Sequence, residues 1–266
     1  MDIGVLVKAS LDVNMIRVDS EGRILLDAIP LAISEYDRNA ITEAVRIRDE
    51  TGGGKVVAFS VLTWGPASKR AKEIENVMRE ALALGADEAH AIVDDSIIPG
   101  DTISTAKVLA KLICKMGKFD LVLSGEASQD MMSSQLPVRL ARELNYSVAT
   151  FARKIELLDG KIRVTRDLED YLQVVNISLP AVISVTGEIN RPKLPTLLQI
   201  RRAFRKPYNS YTLSQLGVES IEIKLPYKEI NLVTISRKNV ILEGDKLEDI
   251  ADQLIERLIE EGVIKV

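Results

Sequence analysis

The chain has 266 residues, and its 35 basic and 39 acidic side chains are interspersed and give a formal net charge of −4 at pH 7, which argues against a general nucleic-acid binder. Its single cysteine, Cys114, excludes an internal disulfide and a cysteine cluster for zinc or iron–sulfur, and any histidine-based site would have to use its single histidine, His90. No apolar run approaches the roughly 18 residues of a membrane span, and the start of the chain has no signal-peptide pattern, so we expect a cytoplasmic protein.

The first half of the chain alternates strands and helices in its hydrophobic pattern. Compact aliphatic runs predict buried strands at residues 3–8, 56–61, 89–93 and 121–123. Apolar residues at helical spacing predict three intervening helices, which begin near Asp37, Pro66 and Asp101. A hairpin is predicted around residues 19–22, where Gly22 suits a turn with positive φ.

The lone histidine and the lone cysteine are both predicted to be structural. His90 lies within the third predicted strand. Cys114 follows Ile113 on the predicted inward face of the third helix, where a free cysteine behaves as a small apolar core residue. We therefore expect neither residue to bind a metal or to carry chemistry.

Strands that are aliphatic on both faces are typical of a parallel sheet covered by helices on each side. The sequence thus predicts an α/β fold with a doubly wound, mostly parallel, Rossmann-like sheet, to which a β-hairpin and a C-terminal arm are added. Ligands bind such sheets beyond the carboxyl ends of the strands, so the loops after Lys8, Ser60 and Ser124 are the candidate site. The chain has neither the G-x-G-x-x-G fingerprint nor a Walker loop.

Residues 125–135 form a small, polar loop between the fourth strand and a helix-compatible segment at 136–144. A strand, a Gly/Ser loop and a helix in this order present backbone N–H groups and hydroxyls to an anion at the helix N-terminus. A strand-to-helix turn also needs Gly and Ser for its own geometry. The loop taken alone therefore indicates either a phosphate site or a plain structural turn.

After Tyr146 the pattern changes to hairpins and irregular segments. Further strands are predicted at residues 154–158, 161–166, 171–177 and 181–185. Residues 190–206 contain two prolines, several apolar residues and a basic end, which is typical either of a loop with a solvated basic helix or of a docking segment with an apolar anchor and a basic rim.

The C-terminal part is predicted to be a linker followed by a helix. The linker, which has little pattern, extends to Tyr227, and apolar residues at 247–258 then predict an amphipathic helix that ends at Gly262. Such a helix could fold back or embrace another subunit. We predict two domains: a nucleotide-binding α/β domain at 1–206, and a linker with a helical arm at 207–266.

Several stretches together resemble the beta subunit of electron transfer flavoprotein over essentially the whole chain. Glu43-Ala44-Val45-Arg46 matches a run in a helix of that family, and Ser34-Glu35-Tyr36-Asp37 stands where the family usually has Asn-Pro-Phe-Asp. Similar correspondences, in the family's order and spacing, are found at residues 79–87, 125–135, 179–182, 190–195 and 260–264.

The resemblance implies a heterodimer with an alpha subunit that holds the redox-active FAD. It also implies that the beta subunit has a sheet of the adenine-nucleotide-binding type and binds a nucleotide there. The nucleotide is AMP in most of the family and a second FAD in electron-bifurcating members. Carried over by position, the cofactor-binding residues are Leu6, Ser34, Glu35, Tyr36, Asp37, Trp64, Gly125, Glu126, Ala127, Ser128, Gln129, Asp130, Met131, Met132, Ser133, Ser134, Gln135 and Leu136.

The loop keeps two residues of the family pattern, Asp130 and Gln135, and Ser133 supplies a similar small polar side chain. Met131 and Met132 replace a Gly or Asp and a second Asp, which removes an easy position for positive φ and one negative charge. Trp64 is expected either to stack on a nucleotide ring or to cover the edge of the sheet.

Four residues are expected to contact partners. Leu194, followed by Pro195, stands where the family places a leucine that inserts into the partner dehydrogenase. Arg201 and Arg202 belong to the basic rim, and Asp167 matches an acidic residue near the flavin domain of the alpha subunit. The expected partners are the alpha subunit, an acyl-CoA or other dehydrogenase, and a quinone oxidoreductase.

The resulting hypothesis is an electron-carrier subunit rather than a stand-alone enzyme. One alternative keeps the family but makes the chain a bifurcating subunit, which binds its own FAD and accepts electrons from NADH. Another is a universal-stress-like nucleotide-binding module that works without flavin, although such a module would end near Tyr146. An ATP pyrophosphatase would need a Ser-Gly-Gly-x-Asp-Ser loop after the first strand, and the chain has none there.

Overall fold

A computed structural model describes residues 1–226, 229–231 and 237–265. The chain divides into two compact units, Met1–Ile230 and Asn231–Val266. In the first unit the elements are β1 (Ile3–Leu6), β2 (Ala9–Leu11), β3 (Leu31–Ile33), α1 (Glu35–Glu50), β4 (Val56–Val61), α2 (Ala67–Leu84), β5 (Glu88–Ile92), α3 (Thr102–Met116), β6 (Leu121–Gly125), α4 (Leu136–Leu144), β7 (Ser147–Leu158), β8 (Lys161–Asp167), β9 (Leu172–Ser178), β10 (Ala181–Val185), α5 (Leu197–Ala203) and β11 (Tyr208–Tyr211).

The first unit is built on a nine-stranded sheet of order β11-β5-β4-β1-β6-β10-β7-β8-β9. All pairings from β11 to β7 are parallel, whereas β8 and β9 add to β7 as antiparallel strands. Separately, β2 and β3 pair with each other. The architecture confirms the predicted α/β fold with a mostly parallel, doubly wound sheet.

Helices cover both faces of the sheet because alternate residues of the central strands point to opposite sides. In β4, Val56 and Ala58 pack with α1 and α2, whereas Val57 and Phe59 pack with α3 and α4. Each face thus has its own apolar core, which explains why every residue of β4 is buried and why all of them except Ser60 are apolar.

β1 is the strand at which the order of the strands in the sheet changes direction. It pairs with β4 on one side and with β6 on the other, and its Ile3 is in register with both Val56 and Leu121. The carboxyl ends of these three strands consequently lie side by side at one edge. In doubly wound sheets this edge, at the change in strand order, is where ligands bind.

Three details differ from the sequence-based prediction. Cys114 is exposed on α3, so its prediction as a core residue was wrong. Within the predicted linker, Tyr208–Tyr211 forms β11, which pairs in parallel with β5. The predicted strand at 154–158 is only the second half of β7; the first half pairs with β10, and Phe151, with a φ of 57°, marks the irregularity between the two halves.

The second unit contains α6 (Leu247–Glu260), which confirms the predicted amphipathic helix. None of its residues is buried, and its apolar stripe includes Leu254, Ile255 and Ile259. Among the described residues, no helix combines the length and apolar character that crossing a membrane requires. The same residues include no group of histidine, cysteine and acidic side chains that could hold a metal ion.

Candidate nucleotide-binding site

A cleft opens at the carboxyl ends of β1, β4 and β6. Lys8, Ser60 and Ser124, after which the sequence predicted the site to open, all line it. Thr102 and Thr105 of α3 line it as well, and the loop that leads from β6 into α4 contributes much of its remaining wall. The cleft therefore lies where the sheet topology leads us to expect a ligand.

The loop at 125–135 begins at a point of close packing. An added Cβ at Gly125 would lie 2.6 Å from Tyr36 Cβ and 2.8 Å from Asp37 Oδ1, so only glycine fits against the start of α1. Farther along, Met132 and Ser134 adopt positive φ values of 45° and 53°. The loop thus adopts left-handed backbone conformations at two residues that are not glycine.

The end of this loop presents unpaired backbone donors to the cleft. Within the described residues, no hydrogen bond is donated by the backbone N–H groups of Ser133, Ser134, Gln135 and Leu136. These residues line the cleft and lead into α4, which begins at Leu136 with Pro137 in its first turn. Free N–H groups and the positive end of a helix dipole form a site suited to an anion.

Asp37 connects the ends of β1 and β6 through its buried carboxylate. Lys8 N donates to Asp37 Oδ2 at 2.8 Å, and Gly125 N donates to Asp37 Oδ1 at 3.3 Å. Burial raises the pKa of Asp37 to about 7, although these two hydrogen bonds and the Lys8 charge act in the opposite direction. Asp37 therefore titrates near neutral pH at the cleft.

Asp130 organises the other side of the loop. Its carboxylate accepts hydrogen bonds from Lys8 Nζ at 2.7 Å, Trp64 Nε1 at 2.6 Å and Leu11 N at 3.2 Å. Lys8 Nζ also donates to Ser128 Oγ at 3.2 Å. Burial acts to raise the pKa of Asp130, but the Lys8 charge and the hydrogen bonds outweigh it, so the pKa lies below its ordinary value and Asp130 is ionised at neutral pH.

The walls of the cleft also carry polar groups without partners and a second carboxylate. The hydroxyls of Ser60, Thr63 and Ser124 are buried and make no hydrogen bond within the described part of the chain. Buried hydroxyls are normally paired, so a ligand with donors and acceptors would satisfy them. Burial raises the pKa of Glu126, and the charges of Glu188 and Asp167 raise it further.

Comparison with known proteins identifies the family of the chain. The family model for the electron transfer flavoprotein domain matches residues 24–216, which is more than half of the chain. The electron transfer flavoprotein subunit beta of Thermoanaerobacterium thermosaccharolyticum is 33% identical, and the alignment covers 99% of this chain and all of the relative. This chain belongs to the electron transfer flavoprotein beta-subunit family.

Two other relatives extend the comparison. The subunit beta of Mycobacterium tuberculosis is 31% identical, with 99% of each chain covered. Subunit CarD of the caffeyl-CoA reductase-Etf complex of Acetobacterium woodii is 28% identical over 99% of this chain and all of that subunit. The match to electron transfer flavoprotein beta subunits thus extends through nearly the whole sequence.

Most of the residues that the beta-subunit resemblance nominated for the cofactor meet at the cleft. Those that line it are Leu6, Asp37, Gly125, Glu126, Ala127, Ser128, Met131, Ser133, Ser134, Gln135 and Leu136. The nominated residues outside its lining are Ser34, Glu35, Tyr36, Trp64, Gln129, Asp130 and Met132. Trp64 is only 5% exposed and donates to Asp130, so it supports the loop from behind; its contact with a nucleotide ring stays a prediction.

Lys8, Thr102 and Thr105 are polar cleft residues that the sequence analysis did not nominate for the cofactor. Lys8 is the cation of the Asp130 network, and Thr102 and Thr105 line the cleft from the first turns of α3. Lys8 could have been singled out because it directly precedes a nominated loop. The two threonines carried no signal beyond their position after Asp101, since their approach to β4 and β6 depends on tertiary packing.

The four residues expected to contact partners of the electron transfer flavoprotein lie in two places. Leu194, Arg201 and Arg202 are exposed on and beside α5, and Leu194 is 83% exposed. Asp167, at the end of β8, is half-buried and forms an ion pair with Arg153 at 3.1 Å. Because the charge of Asp167 acts on Glu126, this residue lies on the side of the cleft that Glu126 lines.

Proposed function

We propose that this chain is the beta subunit of a heterodimeric electron transfer flavoprotein that binds AMP in the cleft and braces the FAD-bearing alpha subunit. The heterodimer carries electrons from an acyl-CoA or other dehydrogenase to an acceptor such as a quinone oxidoreductase. The FAD of the alpha subunit supplies the redox chemistry, and this chain makes and breaks no bonds. The observation that carries the AMP proposal is the row of unpaired N–H groups from Ser133 to Leu136 at the start of α4.

The residues of the cleft fit a nucleoside monophosphate. The backbone N–H groups and the hydroxyls of Ser133 and Ser134 would hold the phosphate, with support from the α4 dipole. The ammonium of Lys8 balances the negative charge of Asp130, and the raised pKa of Asp37, about 7, leaves that carboxyl partly protonated at neutral pH, so both repel the phosphate less. The unpaired hydroxyls of Ser60, Thr63 and Ser124 are available to the polar groups of a nucleoside.

A docking role for residues 190–206 is the second part of the proposal. Exposed apolar side chains gather around Leu194, which is 83% exposed, and include Leu197 at 82% and Leu198 at 56%. Arg201 and Arg202 lie beside them on α5. An apolar anchor inserted into a partner supplies affinity, and a basic rim steers an acidic partner surface toward it.

A bifurcating subunit that holds its own FAD and accepts electrons from NADH is the second candidate. The similarity to a subunit of a caffeyl-CoA reductase-Etf complex over 99% of the chain favours a role within a larger reductase assembly. The universal-stress-like alternative has less support, because such a module would end near Tyr146 whereas the family match continues to residue 216. AMP and FAD differ in colour, so the ligand can be identified directly.

The test is to co-express this chain with its alpha subunit and to measure the released nucleotides and the visible spectrum of each purified subunit. A colourless chain that releases AMP supports the first proposal, and a yellow chain that releases FAD supports the second. In Ser133→Asp, a carboxylate against the phosphate should weaken AMP binding about tenfold or more, since about 1.4 kcal/mol of repulsion suffices.

The matched control is Ser178→Asp, which adds the same charge at an exposed position of β9. It should leave the nucleotide content unchanged. If Ser133→Asp co-purifies with as much AMP as the control, the phosphate does not bind at this loop.

A further inference from the structure

Residues 190–206, named here the docking segment, are held at both ends by side chains of neighbouring helices. At the first end, Asn39 of α1 pairs with Asn190. At the other end, Arg79 of α2 bonds the main chain of the segment, and Lys206 bonds the main chain of α2. Most of the residues between these two anchor points are exposed.

The first anchor is a reciprocal amide pair. Asn39 Nδ2 donates to Asn190 O at 2.9 Å, to Asn190 Oδ1 at 3.1 Å and to Gly187 O at 3.2 Å. Asn190 Nδ2 in turn donates to Asn39 O at 3.0 Å and to Glu43 Oε2 at 3.4 Å. Asn39 is 5% exposed, and an unsatisfied amide at such a position is costly, so the pair favours one placement of Asn190.

At the second anchor, a side chain of α2 bonds carbonyls at the end of α5, and a side chain that follows α5 bonds carbonyls at the end of α2. Arg79 donates from Nη1 to Ala203 O at 3.1 Å and to Lys206 O at 2.9 Å, which satisfies carbonyls at the end of α5. Lys206 Nζ donates to Leu82 O at 3.0 Å and to Ala86 O at 2.6 Å, and it thereby satisfies carbonyls at the end of α2. Positive side chains at helix C-termini also interact favourably with the helix dipoles.

Aromatic rings reinforce the second anchor. The Arg79 guanidinium lies 5.7 Å from the ring centroid of Phe204 and 5.4 Å from that of Tyr208. Both distances are within the range of cation–π attraction. The planar guanidinium thus joins the end of the docking segment to the start of β11 as well as to α2.

Between the anchors, local interactions restrict the chain further. Pro192 and Pro195 each fix φ. Thr196 and Gln199 form a capping box at the start of α5: Thr196 N donates to Gln199 Oε1 at 2.8 Å, and Gln199 N donates to Thr196 Oγ1 at 3.3 Å. The exposed apolar side chains are therefore presented by an ordered backbone.

We propose that Asn39 and Arg79 are positioning residues that hold the docking segment in the conformation in which it binds an electron-donating flavin dehydrogenase. This inference rests on the docking role proposed above. Neither residue contacts the partner; both act by keeping the binding-competent conformation populated. If that conformation is only a fraction of the ensemble, the apparent Kd rises by the inverse of that fraction.

The test uses Asn39→Ala and Arg79→Gln in the intact heterodimer. Hydrogen exchange of the amides at 191–203, and trypsin cleavage within this segment, should become faster than in the wild type. With an acyl-CoA dehydrogenase as the probe donor, KM for the donor should rise about tenfold, equivalent to about 1.4 kcal/mol, and kcat at saturation should be unchanged. Arg79→Lys keeps the charge but loses the planar fork, so we expect an intermediate rise in KM.

Two controls separate positioning from general damage. Arg163→Gln removes an exposed arginine of β8, and Ile162→Val loosens the core beneath it; neither should change exchange in the docking segment or KM. Flavin and nucleotide content should stay at wild-type levels in both anchor variants, because neither anchor lies at the cleft.

The possible failures are distinguishable. Unchanged exchange and unchanged KM in both anchor variants would overturn the positioning role while leaving the docking role intact. If Leu194→Ala leaves KM unchanged, the docking role itself is wrong, and faster exchange in the anchor variants then reflects structure alone. A fall in kcat without a rise in KM would also overturn the positioning role.

Discussion

At the residue scale, the buried carboxyl of Asp37 makes the stability of the fold depend on pH, because it binds a proton more tightly in the folded chain. Burial raises its pKa from 3.8 to about 7 in the folded chain. Between these two values the folded state binds more protons than the unfolded state. The contribution of Asp37 to the free energy of unfolding is therefore fully present below about pH 4 and is lost as the pH rises through about 7.

The prediction is that Asp37→Asn reduces the pH dependence of stability between pH 5 and pH 8. The asparagine cannot titrate, so it removes the part of the slope that Asp37 causes. Urea unfolding of the chain at several pH values measures this slope. Asp27→Asn, a change at an exposed aspartate, should leave the slope as it is in the wild type, and an equally steep slope in Asp37→Asn would contradict the assignment.

Residue-level features of the cleft could be predicted only where position along a strand determines them. The loop from Gly125 to Gln135 follows directly from the end of a buried strand, and most of its residues line the cleft. Thr102 and Thr105 could not be identified in this way. Their roles depend on which side chains from distant elements face them, and a single sequence without its fold does not contain that information.

At the element scale, α5 and the turn before it present Leu194 to solvent. The prediction is that Leu194→Ala weakens docking of a dehydrogenase by about 2 kcal/mol, or roughly thirtyfold in Kd, because a truncated anchor no longer fills its pocket. Dehydrogenase-driven reduction of the flavin measures the docking. At 83% exposure the side chain contributes little to the core, so the melting temperature should not change.

A matched control for this prediction is Leu158→Ala, which truncates an exposed leucine at the end of β7. It should alter neither docking nor melting temperature. A lower melting temperature of Leu194→Ala with normal reduction kinetics would remove Leu194 from the interface.

The elements themselves were predictable to the extent that they are apolar and regular. The central strands are nearly continuous apolar runs because both faces are buried, and such short apolar runs indicate strands of a buried parallel sheet. β11 was missed because Tyr-Asn-Ser-Tyr is a short, polar edge strand that follows a proline. β7 was read as a shorter strand because its irregularity at Phe151 interrupts the alternation of buried and exposed residues.

At the scale of the whole molecule, the two units differ in how far their apolar side chains are buried. The two apolar cores of the first unit consist of residues up to Ile230, whereas no residue of α6 is buried. An apolar stripe on a helix of this kind is normally covered. We propose that α6 is covered by the alpha subunit, in keeping with the arm predicted from the sequence.

The prediction is that deletion of the residues after Asp245 abolishes co-purification with the alpha subunit but leaves the sheet unit folded. No described residue after Asp245 belongs to either core, so far-UV circular dichroism and the cooperativity of unfolding should be retained. A subtler variant, Leu254→Asp with Ile255→Asp, keeps the length of α6 and should give the same loss. Glu256→Gln is its control, and formation of an intact complex by the truncated chain would rule the proposal out.

The anchoring of the docking segment has a consequence for evolution. Arg79 bonds main-chain carbonyls, which every residue carries, and Asn39 needs only one asparagine at the first end of the segment. The exposed side chains that take no part in these contacts, such as Leu194 and Arg201, are free to vary without moving the backbone that presents them. The proposed docking role therefore has an evolutionary consequence: substitutions confined to the exposed tip of the segment would change the electron donor that it recognises, while the fold, the cleft and the two anchors stay as they are.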